Sequence, residues 1–157
     1  MGTLKEDINE GSEWIVKAFK ADKLNLDYSI RSFIEIDNFF NKHTSNGKTK
    51  QGGRLSKGLG SIIFSVGSYI GNTIIKNVPG SVWVTDDGVP EDEINISVEL
   101  PDKTIIFPVQ RVMKRFKNGD EDSIYVYGYQ LAKDFTGEAF DETYWKKIKR
   151  KPWWKIW

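Results

Sequence analysis

An uncharged run of 18 residues, Gly58 to Ile75 (GLGSIIFSVGSYIGNTII), does most to restrict what this chain can fold into. A stretch so long and so free of charge has to be covered on nearly every side. A membrane span asks for about 20 predominantly apolar residues. This run is shorter and carries four Gly, three Ser, an Asn and a Thr, which argues for a protein interior instead of a bilayer. The reading is a central buried helix. Its small residues, Ser61, Ser65, Gly67, Ser68 and Gly71, would let neighbouring elements approach closely. Gly67 and Gly71 form a GxxxG, a motif with force mainly between helices inside membranes.

Before this run, Trp14, Ile15, Ala18 and Phe19 recur at helical spacing. Ser12 and Glu13 read as the capped start of that first helix, which fades near Ala21. A second helix is expected from Ser29, with Ile30, Phe33, Ile34, Ile36, Asp37 and Phe40 on a broad inward face and Arg31, Glu35 and Asn38 outside. Asn41 to Gly47 should end it. From Asn41 to Gly60 there is no acid, and Lys42, Lys48, Lys50, Arg54 and Lys57 sit among Gly, Ser, Thr, Asn and Gln, the composition of a loop.

Beyond Pro79-Gly80 the period shortens. SVWVT, INISVEL and KTIIFPV are rich in β-branched residues and partly alternate, so a small antiparallel meander is predicted. Val109, Val112, Met113 and Phe116 return to helical spacing, with Pro108 suited to a first turn and Asn118-Gly119 to a stop. In DSIYVYGYQLAKDF, Ser123 could cap a helix carrying Ile124, Tyr127, Leu131 and Phe135, while Tyr125-Val126-Tyr127 has strand propensity; the helix is preferred. Glu138 to Arg150 reads as helical until Pro152. With 157 residues, one core is expected. The fold class is α+β: N-terminal helices and a buried Gly/Ser-rich central helix packed with a small antiparallel sheet, and a further helix towards the C-terminal end. Residues 1–145 form the single domain and 146–157 a basic, Trp-rich tail.

Ile30, Ile36-Asp37, Phe39, Phe40, the GSYIG at Gly67 to Gly71, Trp83, Lys114-Arg115 and the stretch from Asn118-Gly119 to Asp122-Ser123 form a pattern. It resembles small uncharacterised bacterial proteins, a domain of unknown function, over Tyr28 to Ser123. The resemblance implies a bacterial α+β domain and brings no catalytic set with it.

The chain has no cysteine, so disulfides, thiolate nucleophiles and Cys-ligated metals are excluded and a cytoplasmic home is the simplest expectation. MGTLKEDINEGSEW lacks a basic stretch followed by an apolar one, so no secretory signal is read there. Gly2 does not make a myristoylation site, because Glu6 stands where Ser or Thr belongs. The sole histidine, His43, has no carboxylate pattern beside it and supports no Ser/His/Asp assignment. Gly52-Gly53 and Gly58-Leu59-Gly60 with Lys57 hint at a phosphate cradle, yet no GxxxxGK[ST] is present, and a loop is the better reading. No metal site and no cofactor are expected. Acids gather at Asp86, Asp87, Glu91, Asp92 and Glu93 and again at Asp120, Glu121 and Asp122, without the ligand spacing of a calcium loop. These are read as solvated turns, or else as a surface for a basic partner. In the second case the protein would be an immunity-type inhibitor of a basic toxin.

The most skewed segment is the last, KKIKRKPWWKIW, from Lys146 to Trp157. It holds six of the chain's 23 basic side chains and none of its 22 acidic ones, leaving 17 against 22 in the rest. Ammonium groups are drawn to phosphates and indoles settle at a water–hydrocarbon boundary, so this mixture suits an anionic membrane surface. Two other readings are a tail folded back over an apolar patch and a single-stranded nucleic acid track, which the negative body opposes. The sequence therefore points to a non-enzymatic binding protein, cytoplasmic and peripheral to the inner membrane. Its candidate anion-binding residues are Lys147, Lys149, Arg150, Lys151, Trp153, Trp154 and Trp157, with a lipid surface or a protein as partner.

Overall fold

The computed structural model describes residues 3–45, 47–49, 58–84 and 92–144. Helix α1 spans Leu4–Ala21 and is opened by a capping box, with the Thr3 side chain accepting from Glu6 N and the Glu6 carboxylate from Thr3 N. This corrects the expected start at Ser12. That serine lies buried in mid-helix, hydrogen-bonded to the Tyr28 hydroxyl at 2.9 Å. The Thr3-x-x-Glu6 signal sat upstream of the Trp14 periodicity, where Leu4 and Ile8 extend the same inward face.

The second helix, expected from Ser29, begins as a 3-10 turn at Ile30–Ser32 capped by Ser29 and continues as α2, Phe33–His43. The segment read as a loop then holds a short hairpin, β1 at Thr44–Ser45 and β2 at Lys48–Thr49, with Thr44 opposite Thr49. Gly47 turns between them at a φ of 75°, against the Lys117 carbonyl. Positions 50–57, including Lys50, Gly52-Gly53, Arg54 and Lys57, lie outside the described residues.

Helix α3, Leu59–Asn77, is the central element, with Ile62, Val66, Tyr69, Ile70 and Ile74 buried. Its small residues work as the sequence implied, Ser61 excepted, which is exposed. Gly11 of α1 faces Ser65, and Gly67 faces Val109 of α4 so closely that an added Cβ would lie 2.6 Å from the Val109 Cγ2. Gly71 faces the Trp83 ring. No helix among the described residues is long and apolar enough to cross a membrane.

The meander is present as β3 (Val82–Val84), β4 (Ser97–Glu99) and β5 (Ile105–Ile106), antiparallel in that order. Trp83, Val98 and Ile106 stand in register and face the helices, as period-2 alternation requires. The Trp83 Nε1 donates to Asn72 Oδ1 at 2.9 Å, and Asn72 reaches Asn9, which ties sheet, α3 and α1 together. Helix α4, Pro108–Asn118, starts on its proline, and α5, Ile124–Ala132, is capped by Ser123. The predicted helix from Glu138 starts later: residues 138–141 have no regular secondary structure and 142–144 are helical. Phe19, Ile36, Tyr69, Val98 and Ile124 share one apolar core, giving an α+β fold of helices packed with a small three-stranded sheet.

Candidate functional site

The most heavily bonded side chain in the core is Asp37, on α2. Sequence reasoning placed it on an apolar face beside Ile36 and Phe40, and it is fully buried. A carboxylate there is tolerable only when charge and lone pairs are answered. Oδ1 accepts from Arg115 Nε at 2.8 Å and Ile124 N at 3.0 Å. Oδ2 accepts from Ser123 Oγ at 2.7 Å, Tyr144 Oη at 2.7 Å and Tyr125 N at 3.1 Å. Asp37 thus neutralises Arg115 and caps the N-terminus of α5, where unpaired amides favour negative charge.

Arg115 projects inward from α4 and is equally buried. Its Nη2 donates to the Asp37 carbonyl (3.1 Å), Asn41 Oδ1 (2.8 Å) and Asp120 Oδ1 (3.1 Å). With both carboxylate oxygens saturated, Asp37 holds elements together and offers no lone pair to a substrate or metal ion.

Tyr144 connects this cluster to the C-terminal segment. Its own N–H donates to Asp141 Oδ1, Asp141 N donates to the Tyr125 hydroxyl at 2.8 Å, and Asp141 pairs with Arg31 at 3.2 Å. Three residues earlier, the Glu138 carboxylate accepts from Ile30 N and Arg31 N, both at 3.1 Å, and caps the 3-10 turn. Burial, together with the neighbouring Asp37 carboxylate, pushes the Tyr144 hydroxyl far above the ordinary phenol range, so it stays a donor. Residues 138–144 are therefore stitched to the body immediately before the basic tail.

A second polar chain runs through Tyr69. Its hydroxyl accepts from Tyr28 N at 2.8 Å and shares a hydrogen bond with Ser32 Oγ at 2.6 Å. Burial pushes Tyr69 up to about 12. Tyr69, Asp37 and His43 are not brought into one pocket: His43 ends α2 and packs on Phe39, with ring centroids 4.7 Å apart.

The expected anion-binding residues Lys147, Lys149, Arg150, Lys151, Trp153, Trp154 and Trp157 lie outside the described residues, as do Asp86, Asp87 and Glu91. Asp92 opens a 3-10 turn, Asp92–Asn95, and Glu93 is exposed. The acids of the second loop do not behave as a solvated trio. Asp120 pairs with Arg115, Asp122 pairs with Arg111 at 3.3 Å and accepts from Asn118, and only Glu121 points fully to solvent. Arg111 also lies over the Tyr127 ring, 4.3 Å from its centroid. Among the described residues no group of His, Cys, Asp or Glu is arranged to hold a metal ion. Comparison with protein-family models, curated proteins and solved structures finds no match to this chain.

Proposed function

We propose that the protein is a binding protein attached peripherally to an anionic membrane surface, at the inner face of the bacterial membrane, through residues 146–157. The observation that carries this reading is the anchoring of 138–144: Tyr144 is bonded to the buried Asp37, so the chain is firmly held just before the cationic segment begins. A tail rooted this way transmits its attachment to the whole domain. Each Lys or Arg near an anionic leaflet contributes about 1 kcal/mol before screening, and the three Trp would sit at the headgroup level. In this role Lys147, Lys149, Arg150 and Lys151 supply attraction, and Trp153, Trp154 and Trp157 supply insertion.

The test is co-sedimentation with phosphatidylserine-containing and pure phosphatidylcholine vesicles at low and high salt, comparing the full chain with one ending at Trp145. Binding that needs anionic lipid, weakens with salt and disappears on truncation is expected. Undiminished binding after truncation, or none by the full chain, would refute the reading.

A further inference from the structure

Two hollows flank Trp14, which is itself 49% exposed. On one side, α1 and α3 leave an open groove of about 620 Å³, with Asp7 and Glu10 along one wall, Glu93 on its border and Phe64 as an apolar patch. On the other side lies a smaller hollow of about 220 Å³, lined by Ile15, Ala18, Phe19, Phe39 and Ile62 with Asp22 at the rim. No basic side chain lines either one among the described residues. Asp7, Glu10 and Glu93 have no cationic partner among them either. The surface is thus acidic, then aromatic, then apolar, over the length of three turns of α1.

We propose that this surface docks residues 146–157 of the same chain, the cations against the Asp7–Glu10–Glu93 groove and an indole in the apolar hollow. This deepens the membrane reading, because the docked tail is the form that anionic lipid must displace. Charge complementarity selects the occupant: the tail holds six cations and three Trp with no acid, the inverse of the surface. Trp14, which lines both hollows, is an exposed aromatic partner for a Lys or Arg, and a buried indole supplies large apolar area.

Reach is sufficient. Asp37, which holds Tyr144, and Phe39, which lines the hollow, lie two residues apart on α2 and so on opposite sides of that helix. They are separated by roughly one helix diameter, about 10 Å. Twelve residues extend to about 40 Å, enough to pass around it. Tethering keeps the local concentration of the segment at about millimolar, so weak contacts hold it. Lipid then meets only the undocked fraction of tails, and its apparent affinity is reduced by that fraction.

The chain lacks cysteine, so Lys155→Cys carries a single nitroxide in the full-length, isotope-labelled protein. Docking predicts broadening of the Gly11, Trp14, Gly60 and Ser65 amide signals in dilute, low-salt solution, and its loss on Glu10→Lys with Glu93→Lys, both solvent-exposed positions. Signals left sharp would overturn the proposal. So would broadening that survives the charge reversal, or that arises only between separate labelled and unlabelled chains, the signature of a second copy as occupant. In a parallel arm, the reversed variant should bind equimolar phosphatidylserine–phosphatidylcholine vesicles roughly threefold or more tightly than Glu121→Lys with Asp134→Lys, which matches its charge away from the groove. Equal affinities would count against docking. Broadening without any vesicle binding would remove the membrane reading and leave the groove assignment standing; vesicle binding without broadening would do the reverse.

Discussion

Asp37 and Arg115 meet at 2.8 Å across a sequence separation of 78 residues, and neither side chain is more than 1% exposed. Two buried charges are each other's condition for being there, but their remaining partners differ. Arg115 without Asp37 keeps Asn41 and Asp120. Removing the Asp37 carboxylate also strips the cap from Ile124 and Tyr125 and orphans Ser123 and Tyr144.

Asp37→Ala is therefore expected to be the costliest single change in the molecule. Breaking a buried pair costs about 3–5 kcal/mol, a large share of the roughly 5–15 kcal/mol that stabilises a domain. Arg115→Met should cost less, because the carboxylate keeps four donors, two of them α5 amides. Urea denaturation of both variants checks the order, and a more severe Arg115→Met would show that Asp37 is not the organising group.

Alkaline pH should weaken the fold through Tyr69. Its hydroxyl is held near 12 in the folded chain by burial, against about 10 when unfolded. A raised folded-state value adds stability that is complete below pH 10 and lost as pH climbs towards 12, where the unfolded chain ionises and the folded one does not. Two units correspond to about 3 kcal/mol. Unfolding free energies measured across this range should fall by that amount or more, since Tyr144 is displaced in the same direction. In Tyr69→Phe the slope should shrink by about one proton.

What the sequence made legible was periodic. The uncharged run became α3, the β-branched runs became β3 to β5, and Pro108 and Ser123 began the helices expected of them. What stayed hidden depends on long-range pairing. Nothing local marks Asp37 as the partner of Arg115; the one available signal was a charge on each of two inward faces, Asp37 beside Ile36 and Phe40, and Arg115 on the face of Val112. An acid-rich turn is usually solvated, which hides Asp120 and Asp122; the cations that draw them inward come from the preceding helix. The Trp14 spacing suggests a start at Ser12, but the capping box that opens α1 lies eleven residues before Trp14.

Close helix packing gives a contrasting pair of glycine substitutions. At Gly67 a methyl would meet the Val109 side chain at 2.6 Å and its backbone at 2.9 Å, so α4 must move away from α3. Overpacking of this kind costs about 1–3 kcal/mol. At Gly60, in the same helix, a methyl meets nothing within 4 Å, and Gly60→Ala should stabilise by roughly 0.4–1 kcal/mol through the unfolded chain. Thermal melts of the two variants should move in opposite directions from the parent.

Tyr144 links the core to the root of the tail, so removing its hydroxyl should loosen that root before it loosens the core. Tyr144→Phe takes one donor from a buried carboxylate that keeps four others. A hydrogen bond to a charged group is worth about 1.5–3 kcal/mol. Tyr125→Phe, which removes the neutral acceptor for Asp141 N, should cost nearer 0.5–1.5 kcal/mol. Segments held by few bonds open below the global transition. Amide hydrogen exchange should therefore quicken across 138–144 in Tyr144→Phe while protection in the middle of α3 changes only as far as global stability does. Uniform acceleration through α3 at equal stability would mean that Tyr144 supports the core directly and that the root has no separate opening.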